Sequence, residues 1–137
     1  MIVSTETTGI PAHAAHKSGT LSPQEQNVLW EMEERFWTSG DDNARATTAT
    51  NAVMVFPYPP GILQGDQIWP HLRQQTGWRS VVMAERRITW CRDITILTYR
   101  VSAEKADVPI YDALCASSYL NDDSTWLRIS HQQTKVA

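Results

Sequence analysis

The final hairpin limits this chain most. Residues 111–120, YDALCASSYL, and residues 125–134, TWLRISHQQT, flank the polar turn Asn121-Asp122-Asp123-Ser124. Asn, Asp and Ser hydrogen-bond their own backbone at such turns, so the two runs read as antiparallel strands. Both arms mix large apolar residues with hydroxyls, a thiol, amides and an imidazole. A strand that only packs a core has little use for Ser117, Ser118, His131 and Gln132 together, so the pair predicts a pocket.

Upstream the strand pattern continues back to Ser80. It predicts strands near 80–90, 94–104, 110–121 and 125–133. Their short links, Cys91-Arg92-Asp93, then Lys105 to Pro109, then the hairpin turn, make successive strands antiparallel neighbours. The first half is helical. Ser22-Pro23-Gln24-Glu25 is a capping box with Pro at the first helical position. Val28, Leu29, Met32 and Phe36 form one apolar stripe, and Trp30 and Trp37 form a second, roughly opposite. Two stripes require cover on two sides. Gly40 ends this helix, and a short helix follows around residues 44–48. A strand over 52–56 breaks at Pro57-Tyr58-Pro59-Pro60-Gly61, because proline cannot donate to a ladder. Gly65-Asp66 opens a further helix to about Gln75. Helices first and a meander afterwards is an α+β pattern.

A chain of 137 residues is one domain with, at most, a tail. Residues 1–20 show no apolar period and read as a flexible N-terminal arm ahead of a domain over 21–137. His13 and His16 have metal-compatible spacing, but two histidines in a polar arm read as solvated side chains. Net charge is −3 with no basic stripe, which speaks against nucleic acid. No run of about 18 apolar residues predicts a membrane span, and the first 20 residues lack the apolar core of a signal peptide. Two cysteines on separate elements do not suggest a disulfide scaffold, so the expected compartment is the cytoplasm. There is no phosphate-cradling glycine loop, CxxC or HExxH. No nucleotide or metal cofactor is expected.

Several stretches together resemble the nuclear transport factor 2-like superfamily, which includes ketosteroid isomerase and SnoaL-like cyclases. They are the long helix ending Trp37-Thr38-Ser39-Gly40-Asp41, the passage VMVFPYPPGILQG, and ITILTYRVSA followed by SSYL…W…HQQT. The ending is similar to a subgroup of small bacterial proteins of unknown function. Over residues 22–134 the resemblance implies helices packed in the concave face of a strongly curved, mainly antiparallel sheet: a cone-shaped, cystatin-like α+β barrel with a cavity at its open end. It also implies a homodimer. The isomerase chemistry does not transfer with it. The position of the isomerase's general base looks like Phe56, and that of its tyrosine oxyanion donor falls near Glu33.

Among candidate functional residues, His131 stands first, as a group that can donate, accept or titrate near neutral pH. If Leu127 and Ile129 face the helices, period two brings His131 to the same side. Tyr99 or Ser117 would then lie within reach, and Asp112 is the nearest acid that could orient the ring. Trp37, Phe56, Tyr58, Trp90, Tyr99, Ser117, Tyr119 and His131 are the expected pocket-lining set. Cys115 reads as a buried, inert thiol. Glu33 reads as part of a solvated helix face, since Glu is rarely buried unpaired; if buried, it becomes a candidate acid or base through a raised pKa. The leading expectation is a small-molecule-binding domain for a small apolar or aromatic ligand. The first alternative is a SnoaL-like isomerase, cyclase or hydratase using His131 or Glu33. The second is a dimerisation or interaction module whose cavity is filled by side chains. The sheet carries apolar residues on both faces, Ile94 and Ile96 on one and Leu97 and Val101 on the other, which points to a second subunit.

Overall fold

The computed structural model of the chain describes residues 20–75 and 78–136. The arm expected over 1–20, with His13 and His16, lies outside the described residues except for Thr20. Helix α1 spans Pro23–Thr38, α2 Asp41–Ala46 and α3 Ile68–Gln74, the last preceded by a 3-10 turn at Gly65–Gln67. The strands are β1 Thr48–Val55, β2 Ile62–Gln64, β3 Ser80–Cys91, β4 Ile94–Glu104, β5 Tyr111–Asp122 and β6 Thr125–Lys135. They form one mixed sheet in the order β2-β1-β6-β5-β4-β3. The helices lie on one side of it. This is the expected α+β architecture, with the sheet left open rather than closed.

Each element follows from local chemistry. The Ser22 hydroxyl accepts from the Glu25 amide at 3.1 Å, and the Glu25 carboxylate accepts from the Ser22 amide at 2.9 Å. Two of the orphan donors at the start of α1 are thereby satisfied. At its far end the chain turns extended at Ser39, and Gly40 caps α2 instead of ending α1 in a left-handed turn. The Pro57–Gly61 loop closes β1 onto β2. Gly61 sits at φ +81°, and its carbonyl accepts from the Phe56 amide at 2.9 Å. A side chain at that φ would be strained.

Strands β3 to β6 form the expected meander. β4 alternates cleanly: Thr95, Leu97, Tyr99, Val101 and Ala103 are buried, and the residues between them are not. Two irregularities bend the sheet. In β3, Glu85 and Arg86 bulge between the pairs Ala84–Arg100 and Arg87–Thr98, with Glu85 at φ 53°. In β6, Ile129 is an extra residue between the pairs Ser118–Ser130 and Tyr119–Arg128. A bulge breaks the two-residue period and increases local twist. Leu127, Ile129 and His131 therefore do not share one face, as the unbroken period implies. Arg128 and His131, three apart, both point into the core and are buried, whereas Leu127 and Ile129 are only half-buried.

The pairing of β1 with β6 is parallel. No local pattern announces it, because the partners are about half the chain apart.

The buried face of α1 also differs from the two opposed stripes. At about 100° per residue, Glu33 lies about 40° from Leu29, between Leu29 and Phe36 on one side and Trp30 and Trp37 on the other. Leu29, Glu33, Phe36 and Trp37 are buried, while Val28 is exposed. One broad stripe faces the sheet, and a carboxylate stands at its centre.

Replacing Ser22 by Ala removes the reciprocal cap. We expect a loss of about 1 kcal/mol, the usual value for such a cap, read as a lower urea midpoint with unchanged slope.

Candidate functional site

The Glu33 carboxylate is fully buried. Burial by itself raises a carboxyl pKa. Here the His131 ring 3.4 Å away, the Arg128 guanidinium and the Ser117 hydroxyl outweigh it, holding Glu33 well below the usual carboxylate range. Three hydroxyls donate to it at 2.5 Å: Tyr119 to Oε1, and Tyr99 and Ser117 to Oε2. Each hydroxyl also accepts a bond. Trp37 Nε1 donates to Tyr99 at 2.9 Å, Arg128 Nη2 donates to Tyr119 at 2.6 Å, and His131 Nδ1 lies 2.6 Å from Ser117 Oγ.

Arg128 is the counterion. Its Nε lies 3.7 Å from Glu33 Oε1 and makes no hydrogen bond. Its Nη1 donates to the Thr48 and Thr47 hydroxyls at 3.0 and 3.3 Å, and its Nη2 also donates to the Met32 carbonyl at 3.3 Å. Phe36 and Tyr119 rings lie 4.4 and 5.0 Å from the guanidinium carbon. A buried charge is tolerable only when paired and surrounded by dipoles, and both conditions hold here.

The His131 tautomer follows from its neighbours. Ser117 gives its proton to Glu33, so it must accept from His131, and Nδ1 carries the hydrogen. Nε2 then accepts from the Gln133 amide nitrogen at 3.0 Å, and Gln133 Oε1 accepts from the Tyr111 hydroxyl at 2.9 Å. Burial lowers the His131 pKa, and the partly compensating Glu33 does not restore it, so the ring is neutral near pH 7. A directed chain of hydrogen bonds thus runs from Tyr111 through Gln133, His131 and Ser117 to Glu33.

Tyr111 and Gln133 border a cavity of about 340 Å³. It opens where the end of α1, the start of α2, the Pro57–Gly61 loop and α3 face the β4–β5 loop. Phe36, Trp37, Phe56 and Trp78 supply aromatic surface, and Asp41, His71 and Lys105 supply polar groups. The His71 ring packs tilted against Phe56, with centroids 4.4 Å apart and planes at 52°, and burial lowers its pKa.

Of the residues named from the sequence, Trp37 and Phe56 border this cavity. Tyr99, Ser117, Tyr119 and His131 are gathered behind it, in the buried cluster around Glu33. Tyr58 points to solvent and is 89% exposed, and Trp90 is half-buried against the apolar cluster of Leu21, Leu29, Leu97 and Tyr119. Cys115 is buried, its thiol pKa pushed up to about 12 by burial and then by the Glu33 charge. The acid facing His131 is Glu33, whose Oε2 lies 3.4 Å from Nδ1. Asp112 instead accepts from Ser102 on the neighbouring strand at 2.5 Å. The expectation of a solvated Glu33 fails because α1 turns that position onto the sheet, where three hydroxyls and a guanidinium receive it. Arg128, Trp78, His71 and Lys105 were not singled out from the sequence. The period shift at Ile129 hides Arg128, and the others line the cavity only once separate loops converge.

Among the described residues, no group of three or more His, Cys, Asp or Glu could hold a metal ion, and no helix is long and apolar enough to cross a membrane.

The chain has the nuclear transport factor 2-like fold. A nuclear transport factor 2-like protein from Cytophaga hutchinsonii superposes with a TM-score of 0.69 at 10% identity, covering 82% of this chain and 98% of that one. A protein of unknown function with a cystatin-like fold from Nostoc punctiforme gives 0.73 at 16% identity, covering 85% and 94%. A candidate ketosteroid isomerase from Parabacteroides distasonis gives 0.71 at 16% identity, covering 84% and 89%. At these identities the likeness is one of fold. No family model and no curated protein matches the chain.

Two predictions follow from the Glu33 cluster. Glu33→Gln leaves Arg128 buried without its counterion and should cost about 3–5 kcal/mol in urea unfolding; Glu33→Gln with Arg128→Met should recover part of the loss. The second concerns pH. His131 and Glu33 both have folded pKa values below their usual 6.5 and 4.5. Each therefore contributes stability that is present above its unfolded pKa and lost as pH falls below it. Unfolding free energy should be level above about pH 7, decline as pH falls through about 6.5, and steepen below about 4.5. In His131→Gln the first decline should shrink to the part that His71 contributes, and the second should remain.

Proposed function

We propose that the protein is a small-molecule-binding domain whose ligand is a modest, partly aromatic molecule held in the cavity beside Tyr111 and Gln133. The carrying observation is the contrast between that cavity and the cluster behind it. The cavity falls within the usual range of ligand pockets, about 300–1,000 Å³, and combines aromatic walls with a few polar groups. Glu33 and His131 are closed off, ionised and neutral respectively, with their polar atoms committed to protein partners. A general base must reach a substrate proton within hydrogen-bond distance. This favours binding over acid–base catalysis by either residue, and assigns the cluster to shaping the cavity wall through Trp37 and Gln133. The two free cysteines, Cys91 and Cys115, accord with a reducing compartment such as the cytoplasm.

Native mass spectrometry of the purified chain, followed by calorimetric titration with 2-naphthol, tests the reading. A retained ligand or saturable 1:1 binding supports it. Leu72→Trp, which fills the cavity from α3, should weaken 2-naphthol binding at least tenfold with the fold retained. Absence of any retained ligand together with no 2-naphthol binding would sink the proposal.

We further propose that a second copy covers the outer sheet face. Val82 on β3 and Leu114 on β5 point away from the helices and are 65% and 51% exposed. Among the described residues, no helix lies on that side of the open sheet to cover them. Sedimentation equilibrium at micromolar concentration should return twice the chain mass, and Leu114→Lys should return the monomer.

A further inference from the structure

The polar groups around the cavity do not balance in charge. Asp41 at its edge lies 3.4 Å from the Arg73 guanidinium and is neutralised there. His71 is uncharged near neutral pH, as its burial dictates. The Glu33–Arg128 pair behind the wall sums to zero. Lys105, on the β4–β5 loop, borders the same cavity and pairs with no carboxylate among the described residues. Its ammonium sits 4.4 Å from the centre of the Trp78 ring. A cation over a ring keeps its full charge, and ammonium hydrogens that point away from the ring remain able to donate to an acceptor.

Trp78 also begins an aromatic surface that leads inward. Its ring stacks on Tyr111 at 5.8 Å and 29°, and Trp37 meets it edge-on at 6.1 Å. Phe56 lies further in, against His71. An uncompensated cation at the rim, next to aromatic walls, matches a ligand with a flat apolar body and an anionic end.

We infer that the ligand is a planar aromatic carboxylate of one or two rings, its ring system against Trp37 and Phe56 and its carboxylate on Lys105. This rests on the pocket reading and names the ligand's class. Lys105 supplies charge without a bidentate fork, so the selectivity it confers is for negative charge and not for a fixed planar geometry.

The test compares 2-naphthoate with its neutral isostere 2-naphthamide, by calorimetry on the full chain at pH 7.5 and low salt. The naphthoate should bind at least tenfold more tightly, and added sodium chloride should erode that preference. Lys105→Met should reduce naphthoate binding to the level of the amide while leaving amide binding within about twofold. Lys105→Arg should restore most of the preference. Thermal unfolding of each variant is read alongside, so that a folding defect is not mistaken for lost recognition. Equal binding of the two probes to the unaltered protein overturns the inference and leaves the pocket reading standing. A preference that survives Lys105→Met overturns the role of Lys105. If neither probe binds, this inference is overturned, while the pocket reading is decided separately by the retained ligand and 2-naphthol binding.

Discussion

One carboxylate organises the interior. Glu33 brings a negative charge to the centre of the α1 face, and the sheet answers with Tyr99 from β4, Ser117 and Tyr119 from β5, and Arg128 from β6. Apolar contacts can slide by a residue at modest cost. Three hydroxyl bonds to one carboxylate cannot, because a displaced helix would leave charge buried without partners. The cluster thereby fixes how α1 sits on three adjacent strands. Most of what surrounds it follows from that placement, including the direction of Trp37 and the orientation of the His131 ring.

The same arrangement separates two jobs. Groups that look most reactive in a sequence, an imidazole and a carboxylate on facing elements, hold each other through Ser117 and are sealed from solvent. The cavity receives only the outer members of the chain, Gln133 and Tyr111. Reactivity in side-chain type and availability to a ligand are different properties. Here burial divides them: the polar centre sets the shape of the wall, and the wall meets whatever enters.

Much of the fold was legible residue by residue. The capping box at Ser22 located the start of α1. The alternation of β4 and the turn at Asn121–Ser124 located the meander, and the proline-rich loop marked the end of β1. These signals are local, so one sequence carries them. The parallel pairing of β1 with β6 and the convergence of Trp78, Lys105 and His71 are not local, and nothing in their own neighbourhoods announces them. Glu33 lies between these cases. Its position midway between Leu29, Phe36, Trp30 and Trp37 was visible in the helical count, but the prior against a buried carboxylate outweighed it. That prior concerns unpaired charge, and the partners here come from strands about 60 residues or more downstream.

The extra residue at Ile129 has a bearing on how chains of this fold are compared. An ungapped match across β6 assumes that side chains at equal offsets from the hairpin turn occupy the same face. In this chain the assumption fails at Ile129: Arg128 and His131 share the interior although their spacing is odd. A relative without the bulge would place a different residue beside the helix at every later position of the strand. At 10–16% identity, with little else to anchor an alignment, functional residues transferred along β6 by counting alone would be assigned to the wrong side of the sheet. Correspondence in this strand is defined by the cross-strand partner, Ser117 for His131 and Tyr119 for Arg128, and not by distance along the chain.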